Sequence, residues 1–450
     1  MISWRVPLLV GVLGLPTVIV CAVLGQNPWP YLGAVLGLIL VVVGLDWLIA
    51  APAADVTLRR SGPNQVRLTD SATVTLSVRN DSVRTMRALV RDAWVPSAGP
   101  EGPYAHLVDL DPGATATIDT TLTPTRRGDR PAVRVTIRSY GPFGLAFRQT
   151  SRRRADQITP PWTLRTLPEF RSRRLLPEKL SRLRVIEGQV VTRGRGQGGE
   201  FDSLRDYVIG DDPRAIDWRA SARRESVVVK QWRPERDRRV LCVIDTGRTS
   251  AGRISPSTEL ADVDGEPRLD MAIDAALLLA SLASHAGDRV DLLAVDTQTH
   301  ANVTASTTRA LPRLLGALAP LQPALVETDF GRVVSEVLTL ERKRALVVLF
   351  TTLEPGALGE GLLPVLPNLV SRHRVIVAAV HDPALDGLAA RRGDAATLHT
   401  AAAAERGLSE LRRVRTALTR YGVTVVDTPA DTFASTVADT YLDLKAAGRL

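Results

Sequence analysis

Two apolar runs at the amino-terminal end constrain this chain most. Val6 to Gly25 carries no charge, and Tyr31 to Ala51 carries only Asp46. Each is about 20 residues long, enough to cross a bilayer as a helix. The connection Gln26-Asn27-Pro28-Trp29-Pro30 is short, and Trp29 with Tyr31 suits a turn at headgroup level. Residues 1–54 therefore read as a transmembrane helical hairpin. A cleaved signal peptide is the alternative for the first run, but no small-x-small site followed by polar chain precedes the second. Arg5 flanks the first run, Arg59 and Arg60 follow the second, and the loop between has no Lys or Arg. The positive-inside rule then places both termini and the large remainder in the cytoplasm, behind a two-pass anchor in the cell membrane. Asp46 reads as an interfacial residue reaching headgroups or Trp47, with a functional intramembrane carboxylate as the alternative.

A chain of 450 residues is too long for one compact core, so several domains are expected. Two cysteines leave no disulfide framework, and Cys21 and Cys242, both in apolar surroundings, read as small buried hydrophobes. Between Arg148 and Arg195 stand 13 Lys and Arg against four Asp and Glu, which accounts for the whole net charge of +9. Such a stretch suits a solvated linker face or an anionic lipid surface. No stacking-aromatic pattern accompanies it, so nucleic acid is not an expected partner.

The period of the apolar residues changes twice. From about Val56 to Gln157, alternating runs begin at Thr73, Met86, Ala116, Ala132 and Leu145, separated by Pro, Gly, Asn and Asp. Residues 55–165 are therefore expected to form a small antiparallel, Ig-like β-sandwich. Later come short continuous apolar strands at Val240–Asp245, Val290–Asp296, Ala345–Thr351, Val375–Val380 and Val423–Asp427. Helical segments alternate with them, so residues 237–450 should form a doubly wound parallel sheet whose site lies at the carboxyl ends of the strands. The fold class expected for the whole chain is α/β with all-β and membrane parts.

Between these regions, residues 166–236 combine the basic linker with the most specific stretch, Gly199 to Arg233. It is dense in charge yet holds Phe201, Leu204, Tyr207, Ile216, Trp218 and Trp232, a mixture that suits an ordered ionic network rather than a solvated linker. Its order is Gly-Glu-Phe, Leu-Arg-Asp-Tyr, Gly-Asp-Asp-Pro-Arg, then Ile-Asp-Trp-Arg-Ala-Ser-Ala-Arg. This resembles the signature of the bacterial family called domain of unknown function 58. Pro142-Phe143-Gly144-Leu145 also looks like that family's turn. The resemblance implies a membrane-anchored protein with a von Willebrand factor A-like domain, partnered by a MoxR-type AAA+ ATPase.

Von Willebrand factor A-like domains hold Mg²⁺ or Mn²⁺ with an Asp-x-Ser-x-Ser loop, an oxygen set that hard cations favour. By that resemblance the loop here is Asp245 to Thr249, with Gly247 at the first Ser position and Thr249 at the second. The Thr-Asp pair of the fourth strand is replaced by Thr351-Thr352, with Glu354 two residues on. Asp245, Thr249 and Glu354 thus remain as a degenerate metal set, and no cofactor is expected, Mg or Mn being the alternative. The Gly194-x-Gly196-x-Gly198-Gly199 run lacks a P-loop ending, the six His residues show no metal-ligand spacing, and there is no Gly-x-Ser-x-Gly elbow.

The motif residues Glu200, Arg205, Tyr207, Asp211, Asp212, Arg214, Asp217, Trp218, Arg219 and Arg223 then have two readings. One is a recognition surface anchored by Trp218 and Arg219. The other is a structural clasp of internally paired charges; a mixture, with Trp218 structural and Arg223 and Arg224 meeting the partner, lies between them. The function expected is a non-enzymatic, membrane-anchored scaffold or adaptor, helping assemble or mature client proteins. The rival is a metal-dependent hydrolase or adhesion module built on the Asp245 loop.

Overall fold

The computed structural model describes residues 1–193, 200–208, 211, 213–223, 226–233, 238–254, 265–305 and 310–450. Asp212, Arg224 and the Gly194–Gly199 run lie outside the described residues, as do the side chains of Glu200, Phe201, Lys230 and Trp232. The chain divides into two compact units, Met1–Leu167 and Pro168–Leu450.

The first unit opens with helices α1 (Arg5–Val23) and α2 (Trp29–Ile49), both long and apolar enough to cross a membrane and compatible with an anchor. Strands β1 (Val56–Ser61), β2 (Gln65–Arg67), β3 (Ala72–Asn80), β4 (Met86–Trp94), β5 (His106–Leu110), β6 (Thr115–Leu122), β7 (Gly128–Tyr140) and β8 (Phe147–Gln149) follow. Helix α3 (Arg152–Ile158) and strand β9 (Thr163–Leu167) end the unit. One sheet runs β1-β3-β6, and a second runs β2-β9-β7-β4-β5 with β8 on β7.

Alternation does the work expected of it: Val74, Leu76 and Val78 of β3 point inward while Thr73 and Arg79 face out. Leu76 and Val78 meet Met86, Ala88 and Val90 of β4 and Val135 and Ile137 of β7 in one core shared by the two sheets, while Val74 packs with Trp94, Leu122 and Leu164 in a second. Asn80 ends β3 fully buried, its amide donating to the carbonyls of Arg84 (2.8 Å) and Leu110 (3.0 Å). Asp46 departs from its expected interfacial role. It is 0% exposed, and its carboxylate accepts from the backbone N–H groups of Phe143 (2.8 Å), Leu145 (2.7 Å) and Ala146 (2.7 Å). A carboxylate so placed finds hydrogen bonds that an apolar helix end cannot supply.

The second unit begins with α4 (Leu176–Arg193), β10 (Glu200–Asp206), α5 (Trp218–Ser221) and β11 (Val228–Arg233). Then come β12 (Arg239–Asp245), the small ribbon β13 (Arg253–Ile254) and β14 (Glu266–Pro267), α6 (Arg268–His285), β15 (Arg289–Val295), β16 (Thr299–Ala305), α7 (Ala310–Leu318) and α8 (Phe330–Leu340). It closes with β17 (Leu346–Phe350), α9 (Leu366–Val370), β18 (Arg374–Val380), α10 (Pro383–Ala390), α11 (Ala395–Arg420), β19 (Thr424–Thr428) and α12 (Ala430–Ala446). The main sheet is ordered β16-β15-β12-β17-β18-β19, parallel except for the edge strand β16.

Successive residues of its strands enter opposite cores, which is why the strands read as unbroken apolar runs. Val240, Cys242, Ile244, Val348 and Ile376 pack with α4, α6, α7 and α12 on one face. Leu241, Val243, Val347, Leu349 and Val377 pack with α8, α9 and α11 on the other. Burial pushes the Cys242 thiol up to about 12, so it is no nucleophile near neutral pH.

Within the span expected as linker, α4 joins this core through Leu183 and Ile186. Its Lys179 meets both carboxylate oxygens of Asp439 on α12 at 2.8 Å, and Arg182 meets Asp439 (2.8 Å) and Asp443 (2.6 Å). Part of the basic surplus is therefore neutralised by the fold. In the same carboxyl-terminal half of α12, Lys445 Nζ lies 3.0 Å from both oxygens of Asp288, to which the Tyr441 hydroxyl also donates (2.6 Å). All three side chains are buried.

Candidate functional site

The winding of the sheet changes direction between β12 and β17, and the carboxyl ends of these strands are where such a fold places its site. Asp245 ends β12 there, 3% exposed. Its Oδ1 accepts from the Gly247 N–H (2.8 Å) and the Thr328 hydroxyl; its Oδ2 accepts from Thr351 Oγ1 (2.6 Å) and Thr249 Oγ1 (3.3 Å). Four donors thus surround one carboxylate. A Cβ at Gly247 would fall 2.1 Å from Thr328 Oγ1 and 2.9 Å from the Val326 carbonyl, so Thr328 fills the space that a longer side chain would need.

Neighbouring groups extend this polar cluster. Thr246 donates to Asp296 at the end of β15 (3.0 Å), and His300 Nε2 lies 2.7 Å from the same oxygen. Burial raises the Asp296 carboxyl, but hydrogen bonds from Gln298, His300 and Thr246 outweigh it and hold the group below the usual carboxylate range. Glu354 does not join Asp245; it pairs with Arg248 (3.0 Å), which also holds Glu327 (2.7 Å). The sequence-predicted set is therefore brought together at Asp245 and Thr249 but not at Glu354. Thr328 was missed, since a lone Thr in a loop before a helix gives no signal.

Beside this cluster a cavity of about 250 Å³ is lined by Arg268, Thr352, His381, Asp382 and Asp427, among others. Burial raises the Asp427 carboxyl and lowers the Arg268 guanidinium, each away from its charged form.

The charged motif folds as a separate hairpin, β10 against β11, carrying the short helix α5. Arg205 grips Asp211 bidentately (2.8 and 2.6 Å), and Asp211 also accepts from the Val208 N–H (3.0 Å). Asp217 caps α5, accepting from the N–H groups of Arg219 and Ala220 at 3.0 Å each. Ser221 Oγ ties the helix back to β11 by accepting from the Val228 N–H (2.9 Å). Asp206 accepts from Ser226 (2.9 Å).

The motif so divides into a frame and a display. Arg205, Asp211 and Asp217 are engaged within it, and Arg214 is exposed but not free, whereas Tyr207, Arg219 and Arg223 are exposed and Trp218 is 68% exposed. Trp218 is thus not the buried anchor that a clasp requires, because capping by Asp217 fixes α5 without needing its indole in a core.

These two features, a doubly wound α/β sheet and an ordered charged hairpin, define the class of the second unit. The family described as "Protein of unknown function DUF58" matches residues 203–418, which takes in most of the motif and the sheet through α11. Two curated relatives, "Uncharacterized protein Rv1480" of Mycobacterium tuberculosis (strain ATCC 25618 / H37Rv) and "Uncharacterized protein Mb1516" of Mycobacterium bovis, are each 28% identical over 204 residues. The matched part is 44% of this chain, and the chain spans 60% of the length of these relatives.

Among solved structures, a Salmonella alpha-2-macroglobulin mutant covers 25% of this chain and 7% of its own (15% identity, TM-score 0.19). The CARDB domain of a Pyrococcus furiosus protein, in complex with di-metal ions, covers 27% and 91% (14% identity, TM-score 0.18). At these TM-scores neither likeness carries an argument.

Proposed function

We propose that this chain is a membrane-anchored, non-enzymatic scaffold or adaptor that works with a MoxR-type AAA+ ATPase in assembling or maturing other proteins. In this reading the second unit is a von Willebrand factor A-like domain and the first an Ig-like sandwich on a two-pass anchor. The observation that carries the proposal is the exposed Trp218 beside Arg219 on a frame whose Arg205–Asp211 and Asp217 interactions are satisfied locally. Trp and Arg are the residues that dominate interface energetics when presented this way. The ATPase as partner rests on the family resemblance of the motif, which the match over residues 203–418 supports. Affinity capture of the detergent-solubilised chain is expected to recover that ATPase, identified by mass spectrometry; recovery of none would count against the adaptor reading.

The orientation follows from the charge balance around the hairpin, which puts both termini in the cytoplasm. Reporter fusions at Met1 and at Leu450 should both report cytoplasm. A carboxyl terminus on the outer side would separate the motif from any cytosolic ATPase and sink the partnership.

The rival reading, a metal-dependent hydrolase or adhesion module, draws on the three Thr hydroxyls that converge on Asp245. The donor set does not fit a hard divalent cation, which favours six or more oxygens with several carboxylates. Of the two carboxylates in the cluster, Asp245 already accepts four hydrogen bonds and Asp296 is held by Thr246, Gln298 and His300; Gly247 has no side-chain oxygen, and Glu354 is drawn to Arg248. Calorimetric titration with Mg²⁺ or Mn²⁺ should show no saturable binding below about 1 mM, the weak end of protein sites for such cations. Micromolar affinity that disappears in Asp245→Ala would restore the rival.

A further inference from the structure

The end of α2 is held beside the sandwich by contacts that also fix where the bilayer surface meets the first unit. Asp46 lies one turn before the end of α2, and the Gly141–Ala146 turn closes around its carboxylate. The approach is so close that a Cβ at Gly141 would fall 2.2 Å from Asp46 Oδ1. The first residues of the chain join the same assembly: the Ser3 N–H donates to the Leu145 carbonyl (2.8 Å), and the Phe147 N–H to that of Met1 (2.9 Å). Two arginines complete it. Arg84 Nη1 donates to the carbonyls of Leu48 and Ile49, and Arg148 lies over the Trp47 ring at 4.5 Å while its Nε donates to the Trp47 carbonyl (3.0 Å).

Helix length sets the depth of this assembly. With 21 residues α2 rises about 31 Å, close to the ~30 Å of a bilayer's hydrocarbon, and the headgroup layers add roughly 5–7 Å on each side. Groups level with Asp46 to Ile49 therefore fall in a headgroup layer when the helix spans. Two loops of the sandwich are at that level, and each displays a large apolar residue: Phe143, 60% exposed, and Val83, 92% exposed. Trp4, at the start of α1, is 73% exposed. Arg5 and Arg84 are exposed beside them, with Arg148 half-buried. Exposed apolar residues in water have no partner here, whereas apolar tips ringed by cations suit an anionic lipid surface.

We propose that the rim of the sandwich formed by the Ser82–Arg84 and Gly141–Ala146 loops is a lipid-docking surface, with Phe143 and Val83 inserted among headgroups and Arg5, Arg84 and Arg148 facing lipid phosphates. The sandwich then rests directly on the bilayer rather than hanging from a free tether. The Asp46 clasp makes this docking rigid, because α2 cannot span without bringing the Gly141–Ala146 turn to the surface. This inference rests on the anchor reading of α1 and α2.

Spin labels read both. Single cysteines replace Val83, Phe143, Leu40 on α2 and Tyr104, in a chain otherwise free of cysteine, reconstituted in nanodiscs containing phosphatidylglycerol. Tyr104 is 61% exposed and lies two residues before His106, which pairs with Val90 of β4, so it stands about six residues along the strand from Met86, roughly 20 Å from the clasp end at ~3.4 Å per residue. Labels at Val83 and Phe143 are expected to be several-fold more accessible to oxygen than to a water-soluble nickel chelate, with the reverse at Tyr104. If they behave like the Tyr104 label while Leu40 keeps a hydrocarbon signature, lipid docking is wrong and the anchor stands. If the Leu40 label itself is open to the nickel chelate, the anchor reading fails and docking falls with it.

Discussion

Lys445→Met is expected to destabilise the second unit by about 3–5 kcal/mol, the cost typical of removing one partner from a buried ion pair. The Asp288 carboxylate is 2% exposed, and without Lys445 it keeps only the Tyr441 hydroxyl as a side-chain partner of the cluster. The cluster joins the last helix to the turn before β15, so its loss should loosen α12 and expose the core it covers. Thermal unfolding of the solubilised chain should show the transition of this unit falling by roughly 10 °C. Adding Asp288→Asn should recover most of that loss, because a neutral amide still accepts from Tyr441 without needing a cation. A full-size loss in Lys445→Met that Asp288→Asn leaves unchanged would mean that packing, not charge, holds this corner.

Asp46→Ala should have the second large effect, confined to the first unit. Three backbone N–H groups lose a charged acceptor at once, and each such loss typically costs about 1–3 kcal/mol. A total near 3 kcal/mol, allowing for water reaching the turn, corresponds to about two decades in an opening equilibrium. Amide exchange at Phe143, Leu145 and Ala146 should accelerate by that factor in membranes or detergent, while β12 of the second unit keeps its protection. Unchanged exchange at the three amides would show that the turn is fixed without the carboxylate.

How far the sequence foretold these features depends on how many residues carried each signal. The five parallel strands were legible because burial on both faces leaves runs such as VLCVID and ALVVLF with no polar interruption. The edge strand β16 was not, because THANVTA has one open face and mixes small and polar residues. The start of helix α11 at Ala395 is not legible either, since its Ala-rich first half shows little apolar periodicity. At the site, Asp245 stood out at a strand end and Thr249 only through the resemblance to an Asp-x-Ser-x-Ser loop, but Thr328 comes from a loop some eighty residues away and only folding brings it in. Asp46 was visible as the one charge in an apolar run; its acceptor role was not, because its donors are backbone amides about a hundred residues distant. In the motif the charges gave away an ordered network, yet composition does not say which face an indole takes. The structure turns Trp218 outward because Asp217 and Ser221 hold α5 from beneath.

That outward indole makes the recognition account directly testable with one substitution and two readings on the same sample. In Trp218→Ala, an exposed ring is removed while the Arg205–Asp211 pair and the Asp217 cap stay, so the melting temperature of the solubilised chain should move by no more than about 1–2 °C, as for most surface changes. Capture of the ATPase should fall at least about tenfold, the loss expected when a hot-spot aromatic worth 1.4 kcal/mol or more is truncated. A melting temperature lowered by many degrees, or capture equal to that of the unaltered chain, would contradict the claim that this motif is a partner surface.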